Sequence, residues 1–348
     1  MSLKILDKGA VAPLVNALMA DYVPRGGRVV GPQAKGPQFT FGPLSDPAEL
    51  RLDYNTTILP PSKAVLQPPL ERLATFRLGE EPIVEPVVEA VPTVLLGVHT
   101  CDLRAIRVLD EVFAQDHPDA NYLEQRAQTL IVSLECLRPC DENSFCKDMG
   151  TLTADEGYDL HLTDIGDAYT VHIGTERGEA LLEKYAQTQP AAEANVRRLN
   201  EALSAKWPHF KHRLEFDAAE LPALLATAYD SPLWDELGER CLACGSCTNV
   251  CPTCYCFNVV DEVNMALTEG ERLRTWDSCQ LDEFALVAGG ESFREARSAR
   301  QRHRFMRKGK YIYDKVGELG CVGCGRCIRA CLTHINIVDG FNAIHGSA

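Results

Sequence analysis

The order of apolar and polar positions predicts two short buried strands in the first half of the chain. Positions 91–98 and 129–134 are continuous apolar runs, a pattern typical of strands covered on both faces. A helical pattern over 102–113 follows the first run, and Thr100 or Asp102 is able to cap that helix. The two strands are therefore expected to be separated by a helix.

The remaining pattern predicts a hairpin and several further helices. Positions 159–162 and 168–173 alternate with period two on either side of a Gly-Asp turn, which is typical of a β-hairpin. Helices are predicted at 10–20, 191–207, 218–229 (capped by Asp217), 259–267 and 291–306, with a hinge at 230–232.

Composition and charge exclude several classes of protein. The formal net charge of −14 argues against a nucleic-acid partner. No apolar stretch has the length of a membrane span, and Pro13 and Asn16 interrupt the apolar segment near the N-terminus. The fifteen cysteines are clustered rather than spread as a framework of disulfides, which indicates a reducing, cytoplasmic compartment.

One segment, 294–310, is strongly basic. Within it Arg297, Arg300, Arg304 and Lys308 fall at helical spacing on one face. A solvated helix face is the simplest interpretation and is slightly favoured. The alternatives are a counter-charge that raises the potential of a nearby redox centre, or a docking patch for an acidic carrier.

Two cysteine runs near the C-terminus share the spacing Cys-x2-Cys-x2-Cys-x3-Cys, which is the bacterial ferredoxin pattern for a [4Fe-4S] cluster. In two-cluster ferredoxins the fourth cysteine of each run serves the other cluster. The alternative to iron–sulfur clusters is a disulfide framework or a pair of zinc sites. The predicted ligands are Cys241, Cys244, Cys247 and Cys331 for one cluster, and Cys321, Cys324, Cys327 and Cys251 for the other.

Four of the seven remaining cysteines raise the hypothesis of a third cluster. Cys101 and Cys136 each follow a predicted strand, and Cys140 and Cys146 come on the next loop. If the strands are parallel neighbours, these thiols meet where α/β sheets place ligands. Otherwise they are small buried hydrophobes. The last three, Cys254, Cys256 and Cys279, are rival ligands or pack around the first cluster and tune it through weak S–H hydrogen bonds.

Several short segments along the chain together carry a resemblance to a known family. They are LPPSK at 59–63, GV at 97–98, CDLRAI at 101–106, FC at 145–146, MG at 149–150, GYDL at 157–160, CPTCYCF at 251–257, WDSC at 276–279 and CVGCGRC at 321–327. With these segments the chain resembles the iron–sulfur β subunit of soluble sulfhydrogenases and the A subunit of anaerobic sulfite reductase. Two positions depart from the family's pattern: Leu332 replaces the usual proline, and His99-Thr100 stands where the family more often has a basic residue and proline before Cys101.

The predicted elements and the cysteine runs together indicate an α+β protein with an N-terminal mixed α/β domain and a mostly helical, ferredoxin-like dicluster domain. We place these at residues 1–215 and 216–348. The role that the resemblance implies is to pass single electrons between a flavoprotein subunit that binds FAD and NAD(P)H and a catalytic subunit, either a NiFe hydrogenase or a siroheme sulfite reductase. The chain contains no G-x-G-x-x-G after a strand and no phosphate-binding loop, so neither flavin nor nicotinamide is expected on it.

Two other functions remain open at this point. The first is a Lewis-acid iron–sulfur enzyme, in which an N-terminal cluster held by only three cysteines leaves one iron open to substrate. The second is a cluster-based redox sensor or assembly scaffold. The number of ligands among the four N-terminal cysteines distinguishes the first of these from an electron-transfer subunit.

Overall fold

The computed structural model describes residues 3–347. Its strands are, in chain order, β1 (Lys4–Asp7), β2 (Arg28–Lys35), β3 (Gln38–Pro43), β4 (Leu70–Arg77), β5 (Ile83–Pro86), β6 (Thr93–His99), β7 (Thr129–Leu134), β8 (Leu160–Asp164), β9 (Ala168–Ile173), β10 (Gln189–Pro190), β11 (Phe257–Val263) and β12 (Glu269–Trp276). Its α-helices are α1 (Val11–Tyr22), α2 (Thr100–Ala114), α3 (Ala120–Ala127), α4 (Glu176–Tyr185), α5 (Glu193–Lys206), α6 (Leu221–Thr227), α7 (Leu233–Arg240), α8 (Ser246–Asn249), α9 (Arg297–Met306), α10 (Ile312–Val316), α11 (Arg326–Arg329) and α12 (Ile337–Gly346).

A large mixed sheet forms the centre of the N-terminal half, with strand order β10-β1-β9-β8-β7-β6-β2-β3. Strands β2, β6, β7 and β8 are parallel to one another, and the outer pairs are antiparallel. Every residue of β6 and β7 is buried, as expected for parallel strands with helices on both faces. The two predicted strands and the hairpin β8–β9 are confirmed.

Helix α2 follows β6 directly, but it is not capped as the sequence suggested. Its N-cap residue is His99, which makes no side-chain capping bond. Thr100 and Asp102 lie within the first turn, and the Asp102 carboxylate instead accepts a hydrogen bond from Arg326 Nη2 at 2.7 Å. The predicted capping role of these two residues is therefore wrong: a buried guanidinium from the C-terminal half binds the Asp102 carboxylate, and the Thr100 hydroxyl points to Cys136 Sγ at 3.6 Å.

A second, smaller sheet has the strand order β11-β12-β4-β5 and is antiparallel throughout. The helix predicted at 259–267 is wrong, because this segment forms β11 and the turn after it, with Val259 paired to Arg274. This sheet joins strands from both sides of the predicted boundary at residue 215, and that boundary itself stays a prediction.

The other predicted helices are present with shifted ends. Helices α1 and α5 match the predictions, and α6 is preceded by a 3-10 turn that Asp217 caps by accepting a hydrogen bond from the Ala219 backbone N–H. The helix predicted at 291–306 begins only at Arg297. Among residues 3–347, none of the helices combines the length and the apolar character that a membrane-spanning segment requires.

The C-terminal half has its own apolar core. Trp234 of α7, Phe305 of α9 and Phe341 of α12 are almost completely buried in it, with edge-to-face ring contacts of 5.5 and 5.4 Å between centroids. These helices hold the two cysteine runs between them. Together with the mixed sheet of the N-terminal half, they give the α+β fold that was predicted.

Candidate iron-sulfur centres

Both cysteine runs fold into the same loop, in which two left-handed residues turn the chain before a short helix. Ala243 (φ 54°) and Gly245 (φ 76°) occupy these positions in the first run, and Gly323 (φ 71°) and Gly325 (φ 73°) occupy them in the second. Helices α8 and α11 begin directly after the second left-handed residue. The loop therefore curls around one point, and its first three cysteines surround that point.

Each loop lines a cavity, and the fourth cysteine of the opposite run completes the thiol lining. We call these the first and the second cavity. Cys247 and Arg304 line both of them, so the cavities are neighbours. The first cavity is lined by Cys241, Cys244, Cys247 and Cys331. The second is lined by Cys251, Cys321, Cys324 and Cys327, with Cys247 and Cys254 also at its wall.

The chemistry of these linings fits [4Fe-4S] clusters. Each offers four soft thiol donors, which iron–sulfur clusters prefer. Arg304 adds a guanidinium nitrogen, Nη2, that is buried without a hydrogen-bond partner among the described residues. A negatively charged cluster beside it would satisfy that donor.

The zinc and disulfide alternatives find no support in the part of the chain that the structure describes. All the cysteines are free thiols. Within residues 3–347, no group of three or more Cys, His or carboxylate side chains is close enough to hold one metal ion. A cubane presents its irons at separate corners, so its thiolates stand further apart than the ligands of one tetrahedral zinc.

The basic segment contains buried cations, and two of them line the cavities. Arg300, Arg304 and Lys308 are each about 5% exposed or less; Arg304 and Lys308 line the cavities, whereas Arg300 lies one turn before them. Burial disfavours the charged form of Lys308, but the negative charge of neighbouring cysteines, first of all Cys251, outweighs this effect and raises the pKa of Lys308. The prediction of a solvated helix face is therefore wrong for these three residues, because this face is buried, with the cavity cysteines beside Arg304 and Lys308. Their burial also rules out a docking patch on this face and leaves the counter-charge interpretation.

The four N-terminal cysteines meet beside the second cavity. Cys101, Cys136 and Cys146 are buried in one group with Val322 and Cys324 of the second run. Cys140 is a close neighbour of Cys136 and Cys146, and burial raises its pKa above the ordinary value. Burial likewise raises the pKa of Cys136 to about 11.

Two hydrogen bonds to backbone carbonyls of the second run fix this contact between the two halves of the chain. Phe145 N–H donates to the Gly323 carbonyl at 2.7 Å, and Thr151 Oγ1 donates to the Val322 carbonyl at 2.7 Å. A Cβ atom on Gly323 would lie 2.6 Å from the backbone of Cys146. Glycine at this position thus lets the loop of the second run approach the N-terminal cysteines.

Comparisons with known proteins agree with this geometry. The family described as "4Fe-4S dicluster domain" matches residues 240–335, which include both cysteine runs. Sulfhydrogenase 2 subunit beta of Pyrococcus furiosus is 36% identical over 317 residues, which are 90% of this chain and 92% of the relative. No solved structure matches the chain significantly.

The chain belongs to the sulfhydrogenase β-subunit family. The resemblance stated from the motifs is thereby confirmed, and the chain is an iron–sulfur protein of the electron-transfer type. The match to the relative covers most of the N-terminal half as well as the dicluster domain.

In this member of the family, the three cysteines that follow the first run do not all lie where they were expected. Cys254 lines the second cavity rather than the first. Cys256 and Cys279 stand at the ends of the hairpin β11–β12, where the Asp277 N–H donates to the Cys256 carbonyl at 3.0 Å. A hydrogen bond from the Cys279 thiol lowers the pKa of Cys256 to about 6. The expectation that the whole set packs around the first cluster is therefore wrong for Cys254.

Sequence reasoning missed several polar residues of the site. Gln301 Nε2 lies 2.9 Å from Cys241 Sγ. Gln301 follows Arg300 on α9, and no pattern in the sequence marks it as a neighbour of a cysteine. Lys63 is buried with its ammonium 4.8 Å from the Trp276 ring, near Cys251 and Cys254. The LPPSK segment had marked Lys63 as part of the resemblance, but not as a neighbour of the cysteines.

Proposed function

We propose that this chain is the iron–sulfur subunit of an oxidoreductase complex and that it holds two [4Fe-4S] clusters with crossed ligands. The observation that carries the proposal is the composition of the two cavities, each of which combines three thiols of one run with the fourth thiol of the other. Such a pairing is the ligand arrangement of two-cluster ferredoxins.

The protein side chains around the cavities suit storage and transfer of single electrons. A bound [4Fe-4S] cluster supplies reversible one-electron chemistry. The protein contributes thiol ligands, backbone N–H donors to sulfur, and a largely apolar wall. Ala243 N–H lies 3.3 Å from Cys241 Sγ, and Ile335 N–H lies 3.2 Å from Cys331 Sγ. Hydrogen bonds to ligand sulfur stabilise negative charge on it.

The proposed partners follow from one-electron chemistry and from the relative's name. A nicotinamide gives up a hydride, so a flavin must stand between NAD(P)H and a one-electron centre. We place this flavin on a separate FAD- and NAD(P)H-binding subunit in the cytoplasm. The catalytic partner is a NiFe hydrogenase or a siroheme sulfite reductase, and the likeness to a sulfhydrogenase β subunit favours the hydrogenase.

Chemical analysis of the anaerobically purified chain tests the cluster content. Two cubanes give about eight iron and eight acid-labile sulfide atoms per chain. The matched control is the variant in which Cys101, Cys136, Cys140 and Cys146 are all serine, which should keep these eight. Four iron atoms or fewer in that control would overturn the two-cluster proposal.

A third cluster at the N-terminal cysteines is the second candidate, and their convergence beside Cys324 supports it. Four ligands would extend the electron path beyond the second cavity. Three ligands would leave an iron open to substrate, as in a Lewis-acid enzyme. About twelve iron atoms in the natural chain, falling to about eight in the Cys140→Ser variant, would support four ligands. Unchanged iron with altered substrate binding would favour the enzyme.

A further inference from the structure

The basic segment has one buried row of cations, two of which, Arg304 and Lys308, line the two cavities. Helix α9 ends at Met306, and a π-helical turn, Arg307–Tyr311, continues it. Positions 300, 304 and 308 are spaced by four residues and share the buried face. Arg302 is half-buried on another side, where its guanidinium lies 3.9 Å from the Tyr229 ring. The same segment therefore has cations that face the cavities and a cation that does not.

Arg304 and Lys308 differ in what they reach. Arg304 lines both cavities, whereas Lys308 lines only the second. Lys308 Nζ donates to Thr253 Oγ1 at 2.6 Å, and this hydroxyl in turn donates to the Gly320 carbonyl at 2.5 Å. Lys308 is thus fixed beside Cys251 and Cys321 and cannot swing toward the first cavity.

Neither cation is neutralised by a carboxylate in the part of the chain that the structure describes. The side-chain partner of Arg304 is the Gln301 amide oxygen, at 3.2 Å, and that of Lys308 is the Thr253 hydroxyl. Arg300, one turn earlier, does pair with a carboxylate, that of Asp282. Burying an unpaired charge costs several kcal/mol, so these two positions need compensating negative charge. Thiolate-ligated clusters supply it.

Reduction adds one more negative charge to a cluster. A buried cation nearby stabilises the reduced form more than the oxidised form and raises the reduction potential. The effect falls with distance and is screened little in a site closed to water. A cation close to one cluster therefore raises the reduction potential of that cluster, and a cation between two clusters raises the potentials of both.

We propose that Arg304 raises the reduction potentials of both clusters and that Lys308 raises only that of the cluster held by Cys251, Cys321, Cys324 and Cys327. Lys308 thereby raises the potential of the second cluster relative to that of the first and favours electron residence in the second cavity. That cavity lies next to the N-terminal cysteines. The proposal rests on the proposed two-cluster function.

Redox titration followed by EPR tests this, with the two signals assigned beforehand from Cys244→Ser and Cys324→Ser variants. In Lys308→Met, the ratio of reduced to oxidised second cluster at a fixed potential should fall at least about tenfold, equivalent to about 59 mV for one electron. The first cluster should change much less. Arg304→Gln should lower the reduction potentials of both clusters. Arg302→Gln, the matched control on the same helix, should lower neither.

The controls distinguish failure of this inference from failure of the two-cluster function on which it rests. Iron analysis of each variant shows whether both clusters are present. If Lys308→Met does not retain iron, Lys308→Gln keeps a donor for Thr253 without the charge, and Lys308→Arg should restore the natural potential. Full iron content with equal shifts of both clusters in a neutral Lys308 variant, or with no shift, would overturn the inference. An iron content below eight in the natural chain would instead contradict the two-cluster proposal.

Discussion

At the scale of single residues, the main difference from the sequence predictions lies in charged side chains, which are buried rather than exposed to solvent. Arg304 and Lys308 were correctly assigned to one helical face, but periodicity does not say whether that face meets water or thiols. Asp102 was expected to cap its own helix, and it binds a guanidinium 224 residues away. Long-range partners of buried charges leave no local pattern, so such contacts were not predictable from one sequence.

The buried ion pair of Asp102 and Arg326 gives the residue-scale prediction. Their side chains are 1% and 3% exposed, and Arg326 also donates to the Thr57 carbonyl at 3.1 Å. Asp102→Asn leaves the guanidinium buried without its counter-charge and should lower the free energy of unfolding by about 3–5 kcal/mol. Thermal unfolding under anaerobic conditions measures this as a large fall in Tm.

The matched control is Asp53→Asn, which removes an exposed partner of Arg51. It should cost less than about 1 kcal/mol. An equal, small effect of both substitutions would contradict a structural role for the buried pair.

At the scale of elements, the pattern predicted the parallel strands and most helices well, because apolar runs bounded by turn residues fix them locally. It failed at 259–267, a short segment with valines and charges that pairs with β12, while β12 pairs in turn with the distant strand β4. Short segments of this kind are ambiguous between helix and strand until their partner is known. The spacing of the cysteines predicted two similar cluster-binding loops. The left-handed residues in these loops explain why the cysteines are spaced in this way.

The two loops give a matched experiment, since Ala243 and Gly323 occupy corresponding left-handed positions. A non-glycine residue there costs about 1–2 kcal/mol, so Ala243→Gly should stabilise the loop by up to that amount. Gly323→Ala adds the same strain and also a 2.6 Å contact with the Cys146 backbone, so it should destabilise by more. Anaerobic thermal unfolding of both variants measures the difference. A destabilising Ala243→Gly would contradict the assigned loop geometry.

At the scale of the whole molecule, the small sheet and the N-terminal cysteine loop tie the two halves of the chain together around the cavities. Strands β4 and β5 come from residues 70–86 and pair with a hairpin inserted between the two cysteine runs. Sixty-nine residues separate Cys251 from Cys321, and nothing in their sequence shows that the hairpin within them pairs with β4. No pattern in the sequence identifies the partner subunits or the terminal electron acceptor.

The isolated chain should hold its clusters without oxidising NAD(P)H, because electron entry is assigned to a flavoprotein partner. Mixing it anaerobically with NAD(P)H should leave the visible absorbance of the clusters unchanged. Dithionite, which needs no partner, is the positive control and should bleach it. Rapid bleaching by NAD(P)H together with stoichiometric bound flavin would show that this chain has its own flavin site.

The central claim is that each cluster takes its fourth ligand from the opposite run, and EPR of two serine variants tests it most directly. The signals are assigned with Cys324→Ser for the second cavity and Cys244→Ser for the first. Cys251→Ser should then perturb the same signal as Cys324→Ser, and Cys331→Ser the same signal as Cys244→Ser, because these thiols share cavities. If Cys251→Ser perturbs the signal assigned by Cys244→Ser instead, each run closes on its own cluster and the claim is contradicted.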